Sequence, residues 1–512
     1  MKIEITGGDL KLREFYQIIY ENAEVVLNKN GLNEIDKCYK FLREYSEKKL
    51  IYGINTGFGP MAQYRIKNED RLSLQFNLIR SHASGCGEVL RPDFLKATLV
   101  ARLSSLMKAR SGIHRNTVEL IRDFVNHNIL PVIFTHGGVG ASGDLVQLAH
   151  LALCLIGEGE VIYQSKQQNT KTVLQKLKIK PLEVHIREGL SLMNGTSCMT
   201  GIGMINIVMS YRLAKWEMLM SAMVNEISEA YDDHISKELN QVKPHSGQQQ
   251  VATALRKILK GSKLLKNRHE HLYDKEVLAD VLDEKVQEYY SSRCLPQIIG
   301  PIWETISHAE KILTEEINSV NDNPVIDYQN GNIFHGGNFH GDYVSLEMDK
   351  LKIAITKLSM LAERQLNYLL NHNLNQKLAP FINLGKLGLN FGLQGMQYTA
   401  TSTVAENQTL SNPMYIHSIP NNNDNQDIVS MGANSALLCN KVIENSFDVL
   451  AVHLIAICQA VDYRGIQNKL APITKSVYDT VRKLCPKFVL EDKARYPELA
   501  KIRQYISETD LY

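Results

Sequence analysis

Three windows of the chain, residues 204–231, 343–371 and 433–464, contain neither glycine nor proline, the residues that most readily end a helix. In the second, "YVSLEMDKLKIAITKLSMLAERQLNYLLN", Val344, Met348, Leu351, Ile355, Leu358, Ala362, Leu366 and Leu369 recur at spacings of three and four. At roughly 3.6 residues per turn, that spacing predicts one apolar stripe along a helix of about eight turns. Such a stripe is satisfied by other helices of comparable length, so the windows predict a bundle.

The texture ahead of them differs. The first two hundred residues mix shorter helical stretches with the glycine-rich corners "YGINTGFGP", "SHASGCGE", "THGGVGASGD" and "NGTSCMTGIG". The expected architecture is mainly α: an N-terminal α-rich domain over residues 1–202 bearing these corners, then a central long-helix bundle and C-terminal helices over 203–512. Strand and helix do not alternate regularly, which argues against a doubly wound sheet and a dinucleotide domain.

Composition narrows the partners. A formal net charge of +2 gives no field for steering onto nucleic acid or acidic lipid, so a small-molecule partner is expected. The locally basic segment 255–276 has no aromatic platform interleaved with its lysines and reads as a solvated stretch. The N-terminus lacks the apolar core of a secretory signal, and the apolar run at 450–461 is short and contains His453, so no membrane span is expected. Eight cysteines stand singly with no CxxC pair, the pattern of reduced thiols and a cytoplasmic location.

The chemistry concentrates at "GGVGASGD", residues 137–144. It lacks the Lys-Ser/Thr ending of a phosphate loop and the flanking strand of a dinucleotide fingerprint. Glycine also permits a turn tight enough for an amide nitrogen to approach the carbonyl carbon two residues earlier. If the Gly143 nitrogen attacks the Ala141 carbonyl and Ser142 loses its hydroxyl as water, the product is a methylidene-imidazolone ring, an electrophile made from the chain itself. "DLVQLAHLAL" then starts a helix with Asp144 near its N-terminus, whose free N–H groups are expected to stabilise negative charge on the ring oxygen.

In this motif, and in "YGINTGFGP", "NLIRSHASG", "LMNGTS", "QEYYSSRCLPQ", "NDNP", "GGNFHGD" and "NQDIVSMG", the chain resembles the aromatic amino-acid ammonia-lyases and related aminomutases over most of its length. The resemblance implies an ammonia-lyase/fumarase-like fold, a homotetramer with shared sites, and the self-formed ring of Ala141, Ser142 and Gly143 as sole cofactor, without a metal. It makes Tyr52 the base that removes the substrate's β-proton, Arg293 the carboxylate clamp, and Gln287 and Tyr290 residues that position substrate and ring. It also places Asn194 near the ring and the substrate amine, and Phe339 beside the ring. Read alone, Tyr52 is a packed side chain, Arg293 a surface salt bridge and Asn194-Gly195 a turn. His335 and His340 invite a metal, yet no third ligand has suitable spacing, and they read as hydrogen-bonded histidines.

Two positions bear on the substrate. Ser81-His82 is similar to the pair in histidine lyases, whereas many tyrosine lyases carry His-Leu there. Gln426 stands where histidine lyases have a glutamate, and a neutral amide complements an imidazolium less well than a carboxylate does. "NQD", with Val146-Gln147 in place of Ala-Pro, is similar to a bacterial tyrosine-lyase branch that keeps Ser-His, with His82 reaching the para-hydroxyl directly or through water. The expected reaction is elimination of ammonia from L-tyrosine to trans-4-coumarate. Histidine or phenylalanine elimination, tyrosine 2,3-aminomutation and an inactive scaffold are the alternatives.

Overall fold

The computed structural model describes residues 1–274, 280–282, 285–489 and 491–511; Lys275 and Glu276 of the basic segment lie outside them. The chain is mainly helical. The helices that matter below are α1 (Arg71–His82), α2 (Pro92–Leu106), α3 (Leu145–Leu155), α4 (Glu188–Met193), α5 (Ser197–Ser228), α6 (Leu295–Ile317), α7 (Asp342–Leu370) and α8 (Gly432–Arg464). The three breaker-free windows lie on α5, α7 and α8, and all eight stripe residues of α7 are fully buried.

Two helices have features that were not assigned from the sequence. Helix α6 runs straight through Gly300-Pro301. A proline inside a helix costs about 3 kcal/mol, but Ile299, Ile302, Ile306, Ala309 and Leu313 are all buried at helical spacing, and each large one contributes about 1.5–3 kcal/mol. Helix α8 is long and apolar enough to cross a membrane, with a mean hydropathy of 1.4 over an 18-residue window; 89% of that window is buried within the molecule.

The chain divides into two compact units. The first comprises Met1–Val208, Ala309–Asp349 and Pro413–Asn440, and the second Met209–His308, Lys350–Asn412 and Lys441–Tyr512. Helices α5, α6, α7 and α8 each contribute residues to both. A boundary read from texture at residue 202 sees only the first of these crossings, because the later segments of the first unit have the composition of long helices.

Within the first unit the described strands are short, such as the parallel pair Lys2–Ile5 with Glu24–Leu27 and the antiparallel pair Val325–Asp327 with Asn332–Phe334. Its helices position the site. α1, α3 and α4 pack on one another; a Cβ on Gly189 of α4 would lie 2.8 Å from the Gln75 carbonyl oxygen of α1. Gln75 also accepts from Leu190 N at 3.2 Å and donates to Gly53 O at 3.4 Å, tying α1 and α4 to the loop that carries Tyr52.

Candidate active site

The loop before α3 is packed backbone against backbone. Gly143 has φ +74°, and a Cβ there would lie 2.0 Å from Gly195 O, the carbonyl that accepts from Asp144 N at 2.8 Å. Gly195 itself has φ +146° and leaves no room beside Arg102. Four successive loop carbonyls have donors: Met431 N on Val139 O at 3.0 Å, Gly341 N and Ser430 Oγ on Gly140 O at 3.1 Å each, His340 Nδ1 on Ala141 O at 3.3 Å, and Asn194 Nδ2 on Ser142 O at 3.1 Å. Gln426 Nε2 donates to Ser142 Oγ at 2.9 Å.

The helix begins at Leu145 with Asp144 at its N-cap, but the Asp144 amide is engaged by Gly195. The donor on the Ser142 carbonyl is therefore the Asn194 side chain, a correction to the expected role of the α3 N–H groups. The Asp144 carboxyl turns the other way and caps α5, accepting from Cys198 N and Met199 N at 2.9 Å each. Burial pushes its pKa up to about 7 against the pull of these two N–H groups.

Beside the loop is a cavity of about 370 Å³ whose lining includes Tyr52, His82, Ser142, Asn194, Phe339 and Gln426. These sit in sequence up to 374 residues apart (426 − 52) and all belong to the first unit. Tyr52 accepts from Gly59 N at 3.0 Å on its hydroxyl oxygen, which leaves its own O–H free to point elsewhere. Its ring lies edge-on to His335, centroids 6.5 Å apart; burial, then the charge of Arg187, lowers the His335 pKa. His82 closes α1, with Nδ1 3.0 Å from Leu78 O. A carbonyl only accepts, so Nδ1 carries the hydrogen and Nε2 of the neutral ring keeps its lone pair. Among the described residues, the cavity lining contains no Asp, Glu, Lys or Arg.

"NDNP" supplies bracing that was not assigned from sequence. Asn321 Oδ1 accepts from Arg102 Nη1 at 3.2 Å and Ser105 Oγ at 2.9 Å, and its Nδ2 donates to Thr196 Oγ1 at 2.9 Å. Asp322 pairs with Arg187 at 3.1 Å, both fully buried, and Asn323 lines the cavity. The only signal in the sequence was the density of side-chain amides and carboxyls, which fits a turn equally well.

Gln287, Tyr290 and Arg293 do not line this cavity. Gln287 and Arg293 line another, of about 300 Å³, within the second unit. Arg293 lies 4.7 Å above the Tyr290 ring, Tyr290 is 69% exposed, and the buried Arg293 Nε has no hydrogen-bond partner among the described residues. No group of three His, Cys, Asp or Glu side chains among the described residues is placed to hold a metal ion.

A mainly helical body holds a tightly packed Ala-Ser-Gly loop beside a cavity of phenol, imidazole and amide groups. The sequence matches the aromatic amino acid lyase family over residues 10–483, and the chain belongs to that family, whose members are carbon-nitrogen lyases and aminomutases. It is 39% identical to a tyrosine 2,3-aminomutase of Chondromyces crocatus, covering 94% of this chain and 92% of that protein. It is 36% identical to a histidine ammonia-lyase of Geobacillus sp., covering 99% and 97%. A relative from Streptomyces globisporus, 37% identical over 94% of this chain and 91% of that protein, is described as an MIO-dependent tyrosine 2,3-aminomutase. The crystal structure of tyrosine aminomutase from that organism has a TM-score of 0.95 at 35% identity, covering 99% of this chain and 97% of the other.

Proposed function

We propose that the chain eliminates ammonia from L-tyrosine to give trans-4-coumarate, using an electrophile built from Ala141, Ser142 and Gly143. The observation that carries the choice of substrate is the cavity lining: it includes the His82 imidazole, whose Nε2 is an acceptor when the ring is neutral, and, among the described residues, no carboxylate. A phenol O–H complements a lone pair. An imidazolium wants a carboxylate, which Gln426 does not supply, and phenylalanine leaves the His82 acceptor unpaired.

The loop fits a methylidene-imidazolone. Gly143 adopts a φ that disfavours any side chain, Ser142 O meets an amide donor, and Ser142 Oγ accepts from Gln426, a donor suited to a departing hydroxyl. Once formed, the ring supplies an electrophilic carbon that converts the substrate amine into a leaving group. Tyr52 takes the β-proton, its oxygen held by Gly59 N. Asn194 donates to the Ser142 oxygen, and its buried Oδ1, without a partner among the described residues, accepts from the substrate ammonium. Phe339 packs on the substrate.

The carboxylate clamp is Arg293, brought with Gln287 and Tyr290 by a second subunit of a homotetramer. Two facts support this: among the described residues the Ser142 cavity has no Lys or Arg for the substrate carboxylate, and the buried Arg293 Nε–H has no partner. The cavity requires an amino-acid substrate only, with no nucleic acid and no membrane. All eight cysteines are free, which fits the cytoplasm.

Tyrosine 2,3-aminomutation is the second reading, favoured by the names of two relatives. The enzyme is incubated separately with tyrosine, phenylalanine and histidine while coumarate, cinnamate, urocanate and β-tyrosine are followed. Coumarate as the main product is expected; β-tyrosine in excess selects the second reading, and urocanate without coumarate overturns the choice of substrate.

A further inference from the structure

The donors on the loop carbonyls differ in kind. Those on Val139, Gly140 and Ser142 are backbone N–H groups, the Ser430 hydroxyl and the Asn194 amide, none of which gives up a proton near neutral pH. Ala141 O accepts instead from the imidazole of His340, whose Nε2 lies 3.3 Å from Asp342 Oδ1. The turn bearing this histidine is closed by His340 N donating to Gly337 O at 2.9 Å and is pinned to the loop by Gly341 N donating to Gly140 O at 3.1 Å. Gly341 is itself confined, since a Cβ would lie 2.5 Å from Met199 Sδ. The imidazole is 26% exposed, enough to exchange protons with water. Ala141 O is also the one loop oxygen that must leave when the Gly143 nitrogen closes on the Ala141 carbon.

We propose that His340, oriented by Asp342, is the proton donor for ring closure in the maturation of this chain. The proposal rests on the reading that Ala141, Ser142 and Gly143 cyclise. As the Gly143 nitrogen bonds to the Ala141 carbon, the carbonyl electron pair moves onto Ala141 O, which takes a proton from His340 Nδ1. The Gly143 nitrogen loses its hydrogen, which restores the proton on the imidazole. The carbon–oxygen bond then breaks, the oxygen takes a second proton by the same route and leaves as water, and the Ser142 nitrogen gives up its hydrogen to form a double bond to the Ala141 carbon. Both hydrogens of the water come from the Gly143 and Ser142 nitrogens, and His340 ends as it began. The second water, from Ser142 Cα–H and its hydroxyl, leaves on the side of the loop that faces Gln426. An amide carbonyl is a weak electrophile, so protonation at its oxygen is where a general acid has most effect, typically about 10²–10⁴-fold.

The test is a pulse of synthesis of the full chain, sampled over time, with intact mass reporting loss of two waters, near-ultraviolet absorbance reporting the ring and far-ultraviolet circular dichroism reporting the fold. Ser142→Ala marks the unprocessed state. His340→Ala and His340→Gln are expected to mature about 10²-fold more slowly than the parent or worse, with added imidazole restoring His340→Ala and Asp342→Asn falling in between. Gln keeps an N–H donor near Ala141 O but cannot relay a proton, so His340→Gln maturing at the parental rate overturns the proposal. A parent that retains both waters shows instead that the cyclisation reading has failed, and His340 falls with it. A parent that loses them while both His340 variants lose them equally fast overturns the role of His340 alone.

Discussion

Gly143 is confined twice, by a left-handed φ and by the Gly195 carbonyl against its Cα. Gly143→Ala is therefore expected to lower the melting temperature, the conformation alone costing about 1–3 kcal/mol, and to abolish near-ultraviolet ring absorbance; a stable variant with parental absorbance contradicts the packing argument. At Gln426 the expectation concerns selectivity. Gln426→Glu restores a carboxylate beside Ser142, so the ratio of urocanate to coumarate formed from equal substrate is expected to rise about tenfold or more, the worth of one charge-assisted hydrogen bond; an unchanged ratio removes Gln426 from the account of specificity. Ser142 could be proposed from the sequence because Ala-Ser-Gly contains the atoms of a ring. The contact of His340 with Ala141 O was not, because it joins positions 199 residues apart and a histidine beside glycines invites a metal before it invites a peptide carbonyl.

Among the elements, α7 was legible because three and four residue spacing over eight turns predicts a helix, and α5 and α8 because their windows contain no glycine or proline. α6 was hidden by Gly300-Pro301, and the reason for the glycine appears only in three dimensions: a Cβ on Gly300 would lie 2.7 Å from Gln248 N, and one on Gly247 would lie 2.3 Å from Gly300 O. The first turn of the helix Ser246–Ile258 meets α6 there with backbones almost touching. In the same unit α5 and α8 carry Glu217 and His453, fully buried and 4.0 Å apart. Burial pushes Glu217 up to about 8 and His453 down to about 3, so near neutral pH they face each other uncharged and do not form an ion pair. Because the folded pKa of Glu217 stands above its ordinary value of 4.5, the stability it contributes is complete below that value and is lost as pH rises to about 8. Glu217→Gln does not titrate, so its melting temperature relative to the parent is expected to rise between about pH 5 and about pH 8; a difference that stays constant across that range contradicts the protonated assignment.

For the whole molecule, the change of texture near residue 202 suggested an N-terminal domain and a bundle, and the discontinuous membership of the two compact units was not readable from it. Residues 309–349 and 413–440 join the first unit, and they carry Asn323, Phe339 and Gln426 into the Ser142 cavity. Arg293 remains in the second unit, in its own cavity, and the proposed homotetramer unites the two sets. Co-expression tests this. Mixed assemblies of Ser142→Ala and Arg293→Ala subunits are expected to recover coumarate formation that neither variant shows alone, because some sites then pair an intact loop with an intact arginine. No recovery in verified mixed assemblies means that both residues act within one chain.

The central claim is that Ser142 is neither a nucleophile nor a cap but is consumed to make an electrophile. Mass spectrometry of the proteolytic fragment spanning residues 141–143 tests it most directly. The account predicts a fragment lighter than its sequence mass by two waters in the parent, and at the full mass of its own sequence in Ser142→Ala, which also loses activity. An active parent whose fragment retains both waters would contradict it.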